Sequence, residues 1–411
     1  MTPALVWLAL IFLPMVAPWK VPSDYAILPS PDGHFFQHVN GTPFFWQADT
    51  AWLLFHRLNY TECETYLTDR AAKGFTIVLA VGLTQIGIDS PNRNGDLPFI
   101  DNDVTQPNEP YWAHIDTIIE LAWSKRIRIA LVPAWGKYVH SDTNAPSVLT
   151  TATATPFGHS IGLRYPFLPK LLVADTNPWW TNKTAVKTAY AAGGVPPSFA
   201  FTDWSDVYDA LARGIVAGER AALADDAWMP LMTIHPTNQW FAGGPVALAS
   251  AFFGDREWLT LDAAQSGHAD YPPNPPVAWW NARRGWEAVE RMWEAGGGGK
   301  LSLRVRESAG LLSGKVFSGA AGVTYGADNV MQMYVPGLFD PAGSGPARSW
   351  AEDIHLPGAG QMEYIKKAIE DRGYESYFRR VPAQDLIVGD AVIKILENGN
   401  PAFNSDGGKM Q

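Results

Sequence analysis

The sequence predicts a parallel α/β barrel of the (β/α)8 kind, with its seventh strand disrupted and the start of a second, β-type domain behind it. Three observations carry this expectation. Short apolar runs of β type alternate with amphipathic helical stretches along most of the 411 residues, the pattern of a parallel sheet wrapped in helices. Seven such runs are clear, and polar or aromatic residues recur directly after them, where a barrel gathers its functional groups. Between the sixth and the last run, where one more apolar strand is required, stand four consecutive glycines at 296–299.

The predicted strands cover residues 43–48, 76–82, 128–134, 170–174, 229–234, 258–262 and 321–325. Helices fill the intervals. Asn59 caps a helix with early acids that stops at Lys73-Gly74. Residues 111–125 place Ile115, Ile118, Ile119 and Ala122 on one helical stripe, and 203–224 and 282–295 behave likewise. The Thr/Ala-rich stretch 150–155 and the Pro/Asn-rich stretch 271–276 read as connectors. Residues 24–385 make the barrel, and 386–411 open a β-domain that the chain does not complete. Leu301-Ser-Leu-Arg-Val305 can stand in as a makeshift seventh strand, but it brings Arg304 and no acid.

Composition narrows the function. With 47% hydrophobic and 18% charged residues the chain has material for a large core. A net charge of −10 opposes binding to a phosphate backbone, so no nucleic-acid partner is expected, and neutral glycans remain open. The apolar run within residues 1–17 is too short to span a bilayer and fits a secretory signal, with no stable membrane association. Three acceptor tripeptides for N-linked glycans, at Asn40, Asn59 and Asn182, agree with an extracellular destination. Cys63 is the only cysteine and leaves the fold without an internal disulfide. No metal-ligand spacing, phosphate loop, nicotinamide fingerprint or Gly-x-Ser-x-Gly elbow occurs, so no metal and no cofactor is expected.

The strand ends supply the candidate site: Asp49 and Trp52 after the first, Trp135 after the third, Asp175 after the fourth, His235 after the fifth, Gln265 and His268 after the sixth, and Tyr325 after the eighth. Each has a plainer reading. Asp49 can cap a helix and Asp175 a turn. His235 and His268 can be satisfied core histidines, and some of the 18 tryptophans must be core. Flat indole faces at a barrel rim nonetheless suit the C–H faces of sugar rings.

Several segments together resemble the apiosidase-like glycoside hydrolases, glycoside hydrolase family 140 and its relatives. They are Pro43-Phe-Phe-Trp-Gln-Ala-Asp-Thr-Ala-Trp52 and its continuation to Leu58, Tyr66 to Phe75, Asn94-Gly-Asp-Leu-Pro-Phe99, Ala174-Asp-Thr-Asn-Pro178, Ala264-Gln-Ser-Gly-His268 and Val316 to Tyr334. The resemblance implies a (β/α)8 TIM barrel that hydrolyses plant-type glycans, often with a β-sandwich after it. It implies Asp175 as the acid/base carboxylate, with Asp49, Trp52, Trp135, His235, Gln265, His268 and Tyr325 contacting the sugar. Similar proteins carry their nucleophile as a glutamate on strand seven, and no stretch here matches that motif. Glu294 and Glu307, the nearest carboxylates, read as solvated helix residues. Two expectations follow: a secreted glycoside hydrolase, or a glycan-binding barrel that has lost its chemistry.

Overall fold

The structure, a computed structural model, describes residues 20–140, 147–174, 176–180, 201–237, 248–265, 289–290, 292–293, 316, 319–342 and 348–381, and residues 301–307 by their backbone. The segments read as signal peptide (1–17) and as the opening of a β-domain (386–411) lie outside these residues, as does the loop 271–276. So does most of the helix expected over 282–295.

One parallel sheet dominates. Its strands are β1 (Trp46–Thr50), β2 (Ile77–Leu83), β3 (Arg128–Trp135), β4 (Lys170–Leu171 and Val173–Ala174), β5 (Met232–Thr233), β6 (Leu261–Gln265), β7 (Leu301–Glu307) and β8 (Gly322–Tyr325). They are hydrogen-bonded in the order β5-β4-β3-β2-β1-β8-β7-β6. The two ends meet through Thr260, whose amide donates to the Met232 carbonyl at 3.2 Å and whose hydroxyl accepts from the Met232 amide at 2.8 Å. All seven residues of β2 are buried, as expected of a strand covered on both faces.

The seventh position is filled. β7 pairs with β6 from Leu261 opposite Leu301 to Gln265 opposite Val305. It pairs with β8 at Leu303–Gly322, Arg304–Val323 and, after a register shift, Glu307–Tyr325. The segment downstream of the glycines therefore does complete the barrel, and it runs two residues further than its apolar pattern suggests. Those two residues correct one reading: Glu307 closes a strand and does not lie on a helix.

Among the described residues five longer helices wrap the sheet: α1 (Tyr60–Ala72), α2 (Glu109–Ser124), α3 (Thr151–Arg164), α4 (Ser205–Leu223) and α5 (Pro357–Glu370). Helix α1 starts in a capping box, with the Asn59 carboxamide accepting from the Glu62 amide and the Glu62 carboxylate from the Asn59 amide. Helix α3 corrects the reading of 150–155 as a connector. Thr150 and Thr153 form a second capping box, and the helix continues through Pro156. Its small residues are a packing device: a Cβ on Gly158 or Gly162 would come within 2.4 or 2.2 Å of the Leu211 or Ile215 carbonyl, and one on Gly214 or Gly218 within 2.2 Å of the Thr155 or His159 carbonyl. Two facing glycine pairs thus bring the α3 and α4 backbones into contact.

A small antiparallel sheet (Ile27–Pro29, Phe36–His38, Pro43–Phe44) closes the N-terminal mouth. Phe36 stacks on Trp46 with centroids 5.4 Å apart, and Arg128 at the start of β3 donates to the Tyr25 and Asp24 carbonyls. With that end plugged, the strand C-termini are the open face.

Candidate active site

Strand parity decides which residues reach the open face. On β1, Gln47 donates to the Gly74 carbonyl at the end of α1, and the Asp49 carboxylate accepts from Tyr66 and Arg70 of α1 at 2.6 and 2.5 Å. These two therefore face the helix layer, and Trp46, Ala48 and Thr50 turn inward. Tyr325 lies on the same outer side, its ring beside Phe75 and its hydroxyl against α5 at Gly358. Burial, reinforced by the Asp49 charge, pushes its phenol up to about 12. The structure thus places Asp49 and Tyr325, both strand-end residues, against the helix layer, Asp49 on α1 and Tyr325 beside Phe75 and α5.

Trp52, Trp135 and His235 do come together. The Trp52 ring stands edge-on to Trp135 at 5.8 Å and to His235 at 5.2 Å. Trp52 and His235 are buried and Trp135 is half-buried, so the Trp135 indole borders the open end of the group. Gln265 ends β6 on the face shared with Leu261 and Ala263, both part of the main core; Ala264 on the other face packs in a separate cluster with Leu248 and Val289. Asp175 and His268 lie outside the described residues.

The backbone on both sides of position 175 is held tightly. The amides of Leu172, His235 and Thr176 continue the β4–β5 ladder by donating to the Thr233, Val173 and His235 carbonyls. Asn177 and Thr237 then exchange two bonds of 2.9 Å, one from the Asn177 carboxamide to the Thr237 carbonyl and one from the Thr237 amide back to it. Thr176 bonds to the His140 imidazole, which stacks on Trp180 at 3.9 Å. Desolvation lowers the His140 pKa to about 3, so its ring is neutral at physiological pH. His56, buried behind β1 beside Arg57, is lowered to about 4, chiefly by burial. Sequence reading missed Thr176, Asn177, Thr237 and His140. All four lie within five residues after a strand end, and none is an acid that draws the eye.

On the far side of the rim, Arg57 donates to the Gln332 and Asp340 carbonyls and lies over the Phe339 ring at 4.7 Å, fastening the loop after β8 to the loop after β1. Between these two walls, β7 ends at Glu307, two residues beyond Val305, which pairs with Gln265, and past the register shift against β8. The topology therefore brings one acidic residue to the C-terminal end of the seventh strand.

An eight-strand parallel barrel, plugged at its N-terminal mouth and lined at the other by tryptophan, histidine and amide side chains, defines the class: a glycoside hydrolase of the (β/α)8 type. A crystal structure of a glycoside hydrolase family 5 protein from Bacteroides vulgatus superposes with a TM-score of 0.70 at 26% identity, covering 90% of this chain and 76% of that one. Another solved structure, of a glycoside hydrolase, gives a TM-score of 0.66 at 23% identity over 90% of this chain and 80% of its own. No curated protein sequence matches. The apiosidase-like catalytic domain matches residues 30–297 and 305–376, and the chain belongs to that family. The unmatched interval includes the first four residues of β7. Among the described residues no helix is long and apolar enough to cross a membrane.

Proposed function

We propose that this chain is a secreted enzyme that cleaves glycosidic bonds in plant-type polysaccharide, with Asp175 as general acid/base. The observation that carries this reading is the family match running through Ala174 to Pro178 and through the rim aromatics Trp52 and Trp135. Asp175 would protonate the departing glycosidic oxygen and later take a proton from the attacking water. A retaining reaction needs a second carboxyl about 5–5.5 Å away as nucleophile. Glu307, at the end of β7 and two residues beyond the partner of Gln265, is the residue whose place in the topology suits that role. Trp135 and Trp52 would offer apolar faces to the sugar, and His235 and Gln265 polar contacts to its hydroxyls.

A second reading, a glycan-binding barrel without hydrolysis, has one specific observation in its favour: residues 301–304 of β7 lie outside the family match. Reducing-end release from plant cell-wall polysaccharides by wild type and by Asp175→Asn separates the two. Turnover by wild type that disappears in the variant supports the enzyme reading. Binding without turnover in both supports the second. Equal turnover in both removes Asp175 from the chemistry.

A further inference from the structure

Outside the rim, the feature with unassigned chemistry is the hairpin turn that joins Phe36–His38 to Pro43–Phe44. We infer that Asn40 on this turn carries an N-linked glycan, that Asn59 does not, and that the glycan covers a cavity at the N-terminal mouth, away from the substrate. The inference rests on the secretory route proposed above, since these tripeptides are used as acceptors there.

The two tripeptides differ in what the fold asks of them. At Asn40 the whole motif is exposed. The Asn40 carboxamide oxygen accepts from the Thr42 amide at 3.0 Å and from the Thr42 hydroxyl at 2.7 Å, so the motif folds on itself. Gly41 between them has φ +81° with open space around it, and the turn is closed by bonds between His38 and both Gly41 and Thr42. Nδ2 of Asn40 is left without a protein partner, which is the atom a glycan needs.

At Asn59 the carboxamide is the cap of α1, bonded to the Glu62 amide, and the residue is half-buried behind the buried pair Arg57 and Leu58. Thr61 is already inside the helix and makes no bond to Asn59. A sugar there would also stand on the loop that carries His56 and Arg57, beside the substrate rim.

The Asn40 turn instead borders a cavity of about 580 Å³ together with Val39, Trp123, Arg126 and Lys366. Val39 is half exposed, an apolar side chain with no cover on the protein itself. The first sugar rings can lie across Val39, with hydroxyls toward Arg126 and Lys366. In the linkage step a C–N bond forms between Asn40 Nδ2 and C1 of a lipid-diphosphate-linked oligosaccharide. The C1–O bond breaks, the diphosphate leaves with the electron pair, and Nδ2 releases one proton.

The test expresses the full chain in a eukaryotic host from a heterologous secretory leader in place of residues 1–17, and maps glycopeptides after peptide N-glycosidase treatment in heavy-oxygen water. The expected result is a heavy Asp at position 40 and unmodified Asn59. Thr42→Ser keeps the modification at Asn40, and Thr42→Ala abolishes it. Unmodified Asn40, or a glycan on Asn59, overturns the inference. So does a change of tenfold or more in glycan affinity or turnover on enzymatic deglycosylation, which would place the sugar near the rim. A chain modified at Asn40 with the heterologous leader but not with its own N-terminus leaves the site standing and removes only the secretory reading.

Discussion

The Asp49 carboxylate and the Arg70 guanidinium meet at 2.5 Å with both side chains fully buried. Tyr66 donates to the same carboxylate, and Arg70 also reaches Asp69 and the Ile354 carbonyl, so one pair ties β1 to α1 and to the segment before α5. The neighbouring acids raise the Arg70 pKa against its burial, which keeps the guanidinium charged. Removing one partner of such a pair leaves a buried charge alone and costs about 3–5 kcal/mol. Arg70→Met is therefore expected to lower unfolding free energy by about that amount in urea titrations. Asp49→Asn is expected to lose stability without changing substrate affinity. A raised KM at unchanged stability would return Asp49 to the sugar site.

The Asn177–Thr237 exchange fixes the loops after β4 and β5 to each other, two residues beyond position 175. Asn177→Ala deletes two hydrogen bonds at a buried site, a loss of about 1–3 kcal/mol. Asn177→Asp keeps an acceptor for that amide and is expected to lose less. The alanine variant should also lose turnover through misplacement of the strand-four end. Thermal melts together with kcat and KM check this, and an alanine variant with wild-type values for all three refutes it.

Helix packing offers a sharper contrast. In Gly218→Ala the new methyl would sit 2.2 Å from the His159 carbonyl, so α3 and α4 must move apart at a cost of at least about 1–3 kcal/mol. Gly360, inside α5, has nothing within 4 Å of its would-be Cβ. Gly360→Ala should stabilise by about 0.5–1 kcal/mol through helix propensity alone. Melting temperatures that move in the same direction for both variants contradict the glycine-contact account.

These cases also show what the sequence could and could not reveal. The strands at 76–82, 128–134 and 170–174 were legible because parallel strands buried on both faces read as runs of apolar residues. Helix α3 was hidden because Thr, Ala and Gly look like linker material until the glycines of α4 are known to face them. Asp49 and Tyr325 looked like rim residues because strand position is readable, whereas the side of the strand each residue faces depends on a parity set by its partners. Trp52, Trp135 and His235 follow three different strand ends, and their rings come together at one end of the barrel. Strand seven was legible as a gap with only a makeshift strand at 301–305, since residues 301–307 alternate apolar with polar and charged side chains where a buried strand is expected to be apolar throughout.

Acid should destabilise the fold through its buried imidazoles. His140 takes a proton at about 3 in the folded chain and at its ordinary 6.5 when unfolded. His56 shifts the same way, to about 4. As pH falls below 6.5 the unfolded state binds protons first, so stability is full above that value and is lost progressively toward 3 or 4. Melting temperatures between pH 7 and pH 4 should therefore fall in wild type, and fall less in His140→Gln. An identical slope in the variant assigns the acid sensitivity to other groups.

Glu307 decides which of the two readings of the site holds. It occupies the last position of β7, two residues beyond the partner of Gln265, and it follows a strand whose first four residues lie outside the family match. If its carboxylate attacks the anomeric carbon, Glu307→Ala should lose turnover by several orders of magnitude while keeping substrate affinity. Azide, small enough to enter the space left by the side chain, should then restore turnover and yield a glycosyl azide of inverted configuration. A variant that hydrolyses as fast as wild type excludes Glu307 and points to a water-mediated inverting route, for which the two carboxyls must be about 6.5–9.5 Å apart. A wild type that binds glycans but never cleaves them, with the variant binding equally well, shows that the rebuilt seventh strand restored the barrel and not its chemistry. The product configuration, followed by nuclear magnetic resonance during the first turnovers, distinguishes retention from inversion without depending on the stability of any variant.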